Sequence, residues 1–285
     1  MNLFVFFAKL LPLTIRLKAY YLLKHRSFLD LKHPKKYSEK LQVRKLNMLP
    51  EYSSLSDKYA VREFVERKLG NENLIPLLGV YNSVSDIDFD VLPNAFVAKT
   101  NFGSGEEHIQ IVKDKATINR HEFVEKFEKA LGSSYKGSIL GETQYDAIPK
   151  KIIIEEFIDS DGVDIEDFKF HIFNGKDGFL QIDFDRFSDH RRNLYSLSFE
   201  QLPFDLLYKS GGYKLPELES LNKLKQAALV LAEGFDYVRV DLYLVKGQVL
   251  FGEMTFTPGN GFESFSSIDA DVLFGDMWVQ PKIIL

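Results

Sequence analysis

Two acidic residues, Asp241 and Glu253, interrupt the most regular apolar segment of the sequence, residues 237–256. The alternation of apolar and polar residues predicts two β-strands joined by a three-residue loop, 246–248, in which Gly247 takes positive φ. Asp241 then lies directly opposite Glu253 on the neighbouring strand. Carboxylates held side by side repel each other, and a divalent cation relieves that repulsion. The pair therefore predicts a Mg²⁺ site, and a solvated hairpin face flanked by Arg or Lys is the alternative.

The same register separates the hairpin into a polar and an apolar face. The polar face is expected to carry Arg239, Asp241, Tyr243, Phe251, Glu253 and Thr255, with Arg239 opposite Thr255. The apolar face, which predicts core, carries Val238, Val240, Leu242, Leu244, Leu250, Gly252, Met254 and Phe256. Any chemistry of this hairpin is therefore confined to one side of a sheet.

A strand followed by a glycine-containing loop occupies residues 95–109. Lys99 lies near the end of the strand, and Gly103 and Gly105 follow it. Glycine lets backbone N–H groups approach an anion closely, and a lysine adds a positive charge. The segment predicts a phosphate-binding loop, although the G-K-[ST] signature of a Walker A loop is missing and a plain turn is the alternative.

Residues 151–158 predict a buried strand that ends in two acidic residues, Glu155 and Glu156. A backbone edge at this point could pair with an adenine, with the acids near its amine or the ribose. The alternative is a strand that emerges into solvent.

A dense mixture of charges lies on alternating strands within 167–195. Lys169 and His171 share one face of the first strand, opposite Phe168, Phe170 and Ile172. The other polar residues of this cluster are Asp167, Asp183, Asp185, Arg186, His190, Arg191, Arg192 and Asn193. Such a cluster suits a site for phosphates and carboxylates, and a charged surface sheet is the alternative.

The elements that position these residues form a mixed α+β pattern with hairpins, without the regular βαβ alternation of a doubly wound sheet. Helices are predicted at 35–46 with Ser38 as N-cap, at 56–69 between a Ser56 cap and Gly70, at 121–131 and at 221–234. Strands are predicted at 77–81, 95–99, 151–157, 168–173, 179–185, 237–245 and 249–256.

Composition and charge limit the function classes. The 285-residue chain has no Cys, which excludes disulfide scaffolds, thiolate metal sites and cysteine nucleophiles and fits a reducing cytoplasm. The first fifty residues contain eleven Lys or Arg residues but two acidic residues, whereas the whole chain has a net charge of −5. A basic arm on an acidic body predicts an anionic partner, such as a membrane surface, a nucleic acid or a polyanion.

The first fifteen residues are strongly apolar but are interrupted by Lys9 and Pro12. The run falls short of a transmembrane helix, and it lacks the basic start and cleavage site of a signal peptide. The partly amphipathic segment 3–26, which mixes aromatic and aliphatic residues with basic ones, is therefore expected either to lie in a membrane interface or to pack on the protein as an ordinary helix.

Taken together, the segments resemble the TupA-like ATP-grasp family of cell-surface polysaccharide biosynthesis. The resemblance extends from 37–46 to 259–265 and is carried by SDKYAVREFV, LIPLLGVY, LPNAFVAKTNFGSG, IIIEEFI, DFKFHIFNGK, IDFDRFSDHRRNLY, YVRVDLYLVKGQVLFGEMTF and PGNGFE. It implies an α+β ATP-grasp fold, in which two α+β subdomains clasp ATP between antiparallel sheets, behind a basic helical extension. The implied divisions are the basic helical arm at 1–49, an N-terminal subdomain at 50–94 that leads into the ATP-grasp, an ATP-grasp subdomain with the phosphate loop and adenine hinge at 95–158, and a C-terminal ATP-grasp subdomain with the metal and acceptor site at 159–285.

The resemblance also implies roles for individual residues. Phosphates of ATP would be contacted by Lys58, Lys99 and the mobile loop containing Asn101, Gly103, Ser104 and Gly105. The adenine hinge would comprise Glu155, Glu156, Phe157 and Ile158, and Mg²⁺ (one or two ions) would bind Asp241, Glu253 and Thr255. Arg239 and Lys169 would act on the transferring phosphoryl group. The acceptor would contact Asp183, Asp185, Arg186, His190, Arg191, Arg192, Asn193 and Asn260.

Two positions depart from the family pattern. Thr255 stands where related ligases commonly have Asn, and Phe102 stands at a loop position that we associate with His. Both departures leave the number of bound Mg²⁺ ions open.

The resemblance implies an ATP-dependent carboxylate–amine ligase that acts through an acyl phosphate. The expected partners are a uronic-acid-containing glycan or precursor and an amino acid, with no nucleic acid beyond the nucleotide. We expect a cytoplasmic enzyme whose basic arm contacts the inner membrane surface or an anionic glycan. A sugar kinase, a glycosyltransferase and a non-catalytic glycan-binding module remain alternatives.

Overall fold

The structure is a computed structural model that describes residues 10–159, 165–185 and 189–281. Contacts within the chain divide these residues into two units. Unit 1 contains residues 10–49, 137–143, 165–185 and 189–281, and unit 2 contains residues 50–136 and 144–159.

Both units combine helices with antiparallel sheets, which confirms the α+β prediction. The helices are α1 (Leu13–His25), α2 (Tyr37–Leu46), α3 (Glu51–Ser56), α4 (Val61–Leu69), α5 (Arg120–Gly132), α6 (Leu218–Ala232) and α7 (Ile268–Met277). The strands are β1 (Leu77–Tyr81), β2 (Phe96–Thr100), β3 (Ile109–Val112), β4 (Ile152–Glu156), β5 (Asp167–Phe173), β6 (Asp177–Phe184), β7 (Arg191–Ser196), β8 (Tyr237–Val245) and β9 (Gln248–Thr255).

The sheet of unit 1 has the strand order β7-β6-β5-β8-β9, and every neighbouring pair is antiparallel. One face is apolar and packs against α6. The other face is divided along its strands. At one end Phe173, Phe179 and Leu194 pack beneath residues of α2 and α7, with Trp278 beside them. At the other end the same strands carry charged residues, so the sheet itself positions the candidate site.

The sheet of unit 2 has the order β1-β4-β2-β3. Its core lies between one face of β2 and β4, where Phe96, Ala98 and Ile154 are fully buried, and Phe123 and Phe127 of α5. Residues that alternate with these along β2 and β4, including Lys99 and Glu155, therefore belong to the opposite face.

The hairpin register confirms the pairing of Asp241 with Glu253 and of Arg239 with Thr255, but the predicted loop is wrong. The connection has two residues, Lys246 and Gly247, which both take positive φ, as a type I′ turn requires. A bulge next to Asp241 then restores the predicted register. The predicted faces of two residues are therefore wrong. Phe251 pairs with Leu242 on the apolar face, and Leu250 pairs with Tyr243 on the polar face.

The predicted helix at 56–69 is shorter, because α4 begins at Val61, and Ser56 ends α3 instead of capping α4. The chain turns because the Asp57 carboxylate accepts hydrogen bonds from the Tyr59 backbone N–H and from the Asn101 amide. Gly70 follows α4 as predicted. Ser38 is likewise no N-cap: it lies inside α2, and its hydroxyl donates to Asp271 at 2.6 Å.

The N-terminal helix α1 packs on unit 1 through Leu17 and Tyr21, which are fully buried. No helix within the described part of the chain is both long and apolar enough to cross a bilayer. The packing alternative is therefore confirmed for one face of α1, whereas residues 3–9 of the predicted segment lie outside the described residues.

Candidate active site

Lys169 lies at the centre of the polar end of the unit 1 sheet. Its ammonium group is 2.9 Å from an Asp167 carboxylate oxygen and 3.0 Å from an Asp241 oxygen. The β5–β8 register explains the second contact, because Lys169 pairs directly with Asp241. The side chains are largely buried, with Lys169 11% and Asp241 3% exposed, so the ion pair is shielded from water.

Arg239 joins the two predicted metal ligands. Its Nε and Nη2 donate to the two Asp241 oxygens at 2.7 Å each, and Nη2 also donates to a Glu253 oxygen at 2.9 Å. The Thr255 hydroxyl lies 3.2 Å from both Nη2 and that Glu253 oxygen. The residues predicted to contact the phosphoryl group and the metal are therefore brought together, with a cation between the two carboxylates.

The charges of this group depend on burial and on each other. Burial raises the pKa of Asp241, the Arg239 and Lys169 cations oppose this rise, and the Glu253 charge adds to it. Burial alone would lower the pKa of Arg239, but the Asp241 and Glu253 carboxylates raise it well above its ordinary value. Arg239 is therefore a permanent cation, and Asp241 is a carboxylate that benefits from any further positive charge.

The donor set fits a hard metal ion that also binds substrate oxygens. Asp241, Glu253 and Thr255 offer oxygen atoms alone, the ligand type that Mg²⁺ prefers. Among the described residues, no group of three or more His, Cys, Asp or Glu side chains could hold a metal. Mg²⁺ commonly uses one or two carboxylates plus phosphates, which is the set available here.

A second charged group surrounds Asp183 on β6. Arg192 Nε donates to Asp183 at 2.7 Å, its Nη1 donates to Glu263 at 3.1 Å, and His190 Nε2 lies 3.1 Å from Asp183. Burial would raise the pKa of Asp183, but the Arg192 guanidinium, together with the Lys169 cation and the Gln181 amide, lowers it well below its usual range. These four residues therefore form one connected cluster. Sequence analysis did not predict that Glu263 belongs to it.

A buried chain of hydrogen bonds leads away from Asp183. Gln181 Nε2 donates to Asp183 at 2.7 Å, so the Gln181 carbonyl oxygen faces His171 Nε2, at 3.1 Å. His171 Nδ1 lies 2.9 Å from the Tyr237 hydroxyl, which lies 2.6 Å from the Tyr37 hydroxyl. Because burial lowers the pKa of His171 well below its usual value, the ring is neutral, donates from Nε2 and accepts at Nδ1. Each donor in this series of hydrogen bonds then points towards Asp183.

Asn260 belongs to another buried group of unit 1. Its amide donates to Glu142 at 2.8 Å, and its two oxygens accept from Lys45. Glu142 also accepts from the Thr257 hydroxyl at 2.6 Å. Burial raises the pKa of Glu142 and lowers that of Lys45 to about 7. The Asn260 side chain, predicted to bind the acceptor, is therefore already engaged within unit 1.

The remaining predicted acceptor residues do not join the Asp183 cluster. Asn193 and Arg191 alternate with Arg192 along β7 and so point to the opposite face. Asn193 is fully buried and exchanges hydrogen bonds with the backbone of Gly211, while Arg191 pairs with exposed Asp189. Asp185 is exposed just after β6. Arg186 lies outside the described residues.

In unit 2 the first predicted phosphate-binding lysine lies against the glycine loop. Lys58 Nζ donates to the Gly103 carbonyl at 3.0 Å, and the Lys58 backbone N–H donates to the Asn101 carbonyl. Asn101 is fully buried, and its amide bonds the Asp57 carboxylate, the Pro149 carbonyl and the Lys151 N–H. The Asn101 side chain therefore holds the loop in place.

The glycine loop makes a close backbone approach at Gly103. A Cβ atom there would lie 2.1 Å from the His108 ring, which hydrogen-bonds the Thr100 hydroxyl at 2.9 Å. Ser104 and Gly105 are exposed, and Gly105 has a positive φ of 88°. Phe102 packs against the same His108 ring. The loop is thus anchored at its start and exposed beyond Gly103.

The second lysine, Lys99, forms an ion pair with Glu155 at 2.6 Å across β2 and β4. Glu155 is buried and also lies 3.4 Å from Arg62 of α4. Glu156 is exposed, and its backbone N–H donates to Pro76. Phe157 and Ile158 follow as half-buried residues. The residues predicted for the adenine hinge are therefore contiguous, but Glu155 is engaged by two cations.

The sequence is matched by the model of the TupA-like ATP-grasp family over residues 39–279. The chain belongs to the TupA-like ATP-grasp family. This match covers all the candidate residues of both units, so the family resemblance that the motifs predicted is confirmed, and with it the ATP-grasp fold.

Solved structures of several ATP-grasp ligases are similar to the chain. D-alanine–D-alanine ligase from Bacillus anthracis shares 19% identity over 72% of this chain and 58% of its own, with a TM-score of 0.41. The enzyme of the same name from Coxiella burnetii shares 13% identity over 84% of this chain and 63% of its own, with a TM-score of 0.43. D-cycloserine synthetase DcsG shares 14% identity over 80% of this chain and 70% of its own, with a TM-score of 0.42. A search of curated proteins found no match. This chain therefore spans about three fifths of the length of the two D-alanine–D-alanine ligases.

Sequence reasoning missed several residues that complete these clusters. Gln181 carries a detectable signal, because it alternates with Asp183 on a predicted strand and so shares its face. Arg62, Glu142 and Tyr37 carry no such signal, since each reaches its partner from a distant segment.

Proposed function

We propose that this protein is an ATP-dependent ligase that joins a carboxylate to an amine. Membership of the TupA-like ATP-grasp family supports this class of reaction. The observation that carries the proposal is the charged group of Asp241, Glu253, Arg239 and Lys169 on one face of the unit 1 sheet. Such a group of fixed charges suits transfer of a phosphoryl group, in which catalysis consists mainly of positioning and charge neutralisation.

In the proposed reaction the substrate carboxylate attacks the γ-phosphorus of ATP, and ADP leaves. The resulting acyl phosphate gives the carboxyl carbon a good leaving group, so an amine displaces inorganic phosphate and forms an amide. Mg²⁺ held by Asp241 and Glu253, with Thr255 as a neutral ligand, would supply positive charge to the phosphate oxygens.

The residues of this chain supply the remaining charge. Arg239 is held in place by four polar contacts and stays protonated, so it can stabilise negative charge on the transferring group without reorganising. Lys169 is held between two carboxylates and provides a second fixed cation. In unit 2 we assign phosphate contacts to Lys58, Lys99 and the loop containing Gly103, and adenine contacts to residues 155–158.

We further propose that the carboxylate belongs to a uronic acid of a surface glycan or its precursor, and that the amine belongs to an amino acid. The support for this substrate is the association of the family with polysaccharide synthesis. Arg192 would face the acceptor, since its guanidinium is fixed by Asp183 and Glu263 in a group that the phosphoryl chemistry does not use.

Phosphate release from ATP in the presence of Mg²⁺, measured across uronic acids and amino acids with mass spectrometry of the products, tests this function. An amide product supports the ligase. A phosphorylated sugar formed without any amine would instead identify a kinase.

Asp241→Asn and Glu253→Gln should each abolish turnover, because each removes a carboxylate from the proposed metal site. Glu219→Gln is the matched control, since Glu219 is an exposed residue of α6. Full turnover by both site variants would refute the metal assignment.

A further inference from the structure

Helix α1 has an apolar face that is exposed in the part of the chain that the structure describes. Leu17 and Tyr21 bury one side of the helix against Val43 and Phe262. On the other side lie Leu11 and Ile15, each 48% exposed, and Leu22 and Leu23, 42% and 76% exposed. Their spacing places them along one stripe of the helix. We call this stripe the α1 outer face.

Large apolar residues extend the α1 outer face at both ends. Leu10, just before the helix, is 67% exposed, and Phe28, just after it, is 86% exposed. Scattered single apolar residues are ordinary on protein surfaces, whereas a continuous stripe marks an interaction site.

The same N-terminal segment carries exposed basic residues. They are Lys18, Lys24, Arg26, Lys32 and Lys35. Among residues 10–49, the acidic residues are Asp30, which is exposed, and Glu39, which is buried. Residues 10–49 are therefore strongly positive as well as apolar at the surface, and a partner of this segment should combine an apolar interior with a negative surface.

We propose that the α1 outer face docks onto an anionic lipid bilayer. A helix with exposed Leu and Ile among Lys and Arg residues lies in the plane of a membrane interface, with its apolar side among the acyl chains. A soluble anionic glycan would pair with the lysines but would leave the leucines and Phe28 in water. A second copy of this chain would bring an equally positive surface against the first. The bilayer alone satisfies both properties.

Co-sedimentation of the full chain with vesicles tests the proposal. The protein should sediment with vesicles of phosphatidylcholine and phosphatidylglycerol but not with phosphatidylcholine alone. Binding should weaken as salt rises, because the Debye length falls from about 10 Å at 0.1 M to about 3 Å at 1 M.

Leu23→Glu should weaken vesicle binding on the order of tenfold, because it places a charge where an apolar side chain is buried in lipid. Lys18→Glu combined with Lys24→Glu should weaken it by at least as much. The matched controls are Leu218→Glu and Lys176→Glu, which change residues of similar exposure elsewhere in unit 1 and should bind like the unchanged protein. None of these residues lies in the proposed catalytic groups, so ATP turnover should be unchanged and the two proposals can fail separately.

Four results would overturn the proposal. The first is no sedimentation with anionic vesicles at low salt, and the second is equal binding by Leu23→Glu and Leu218→Glu. The third is dimerisation in sedimentation velocity that Leu23→Glu abolishes, which would assign the α1 outer face to a second copy. A soluble uronic-acid polymer that retains the chain and its Leu23→Glu variant equally, while vesicles do not, would assign the lysines to a glycan.

Discussion

Replacing Arg239 with Met tests whether the charged group depends on one cation. Methionine keeps most of the side-chain volume but removes two 2.7 Å hydrogen bonds to Asp241 and one of 2.9 Å to Glu253. Asp241 would remain buried, with Lys169 at 3.0 Å as its nearest remaining cation among these contacts. An uncompensated carboxylate in this position is costly, because burial already raises its pKa.

Loss of one partner from a buried ion pair typically costs about 3–5 kcal/mol. We expect Arg239→Met to lie near the lower value, since Lys169 still neutralises part of the Asp241 charge. Asp241→Asn alone should cost less, because Glu253 continues to pair with Arg239. The double variant should lose about 2 kcal/mol less than the two single losses together, because both members of the Arg239–Asp241 ion pair are then absent.

Urea unfolding followed by Trp278 fluorescence measures this effect. The protein has one tryptophan, which is fully buried in unit 1 and so reports on the unit that contains Arg239. Arg239→Lys serves as the control that keeps the charge but loses the two parallel hydrogen bonds. Unfolding free energies that are unchanged by Arg239→Met, or single losses that simply add in the double variant, would refute the coupling that the geometry predicts.

Three further predictions concern the neighbouring groups. Burial lowers the pKa of Lys45 from 10.5 to about 7. As pH rises, the folded state therefore loses this proton before the unfolded state does, and the stability of unit 1 should increase between pH 7 and pH 10. Unfolding monitored by Trp278 fluorescence should show no such increase for Lys45→Met. Tyr237→Phe should destabilise unit 1 by about 1–3 kcal/mol, because it removes the hydroxyl 2.9 Å from His171 Nδ1 and leaves the Tyr37 hydroxyl at 3.4 Å. ¹⁵N NMR should show His171 as the neutral Nε2–H tautomer at pH 6, and an imidazolium signal would contradict the proposed direction of these hydrogen bonds. Mg²⁺ binding measured by calorimetry should be weak without nucleotide and should strengthen at least roughly tenfold with ADP. The protein offers two carboxylates, and the nucleotide phosphates supply further oxygen ligands. Equally tight binding without ADP would contradict this donor set.

The β8–β9 hairpin shows which features local sequence determines. Period-two alternation placed Asp241 opposite Glu253 correctly even though the loop prediction was one residue too long. The true connection is shorter, and the bulge beside Asp241 adds the missing residue. Bulges follow from how strands pack and twist, not from alternation alone, so the sequence predicted the pair but assigned Leu250 and Phe251 to the wrong faces.

Clusters assembled from distant segments could not be predicted in the same way. Tyr37 and Tyr237 are 200 positions apart, yet their hydroxyls are 2.6 Å from each other. Glu142 lies in a short segment, 137–143, that belongs to unit 1 although the residues on either side belong to unit 2. Nothing in the composition of that segment indicates where it packs, because partner choice is set by the tertiary fold.

The charged residues at the polar end of the unit 1 sheet reduce the stability of the folded state, since each ion removed from water costs several kcal/mol before its partners compensate. The same face shows a less costly arrangement at its other end, where Phe173 and Phe179 pack with Trp278. The strands run continuously between the two ends, so the backbone does not require charge at Lys169, Asp241 or Arg239. Groups that weaken a fold are commonly retained where chemistry needs them. A doubly substituted Arg239→Met, Asp241→Asn protein that still folds, is destabilised by less than the two single losses together and yet loses ATP turnover would therefore separate the role of these charges in folding from their role in the proposed reaction.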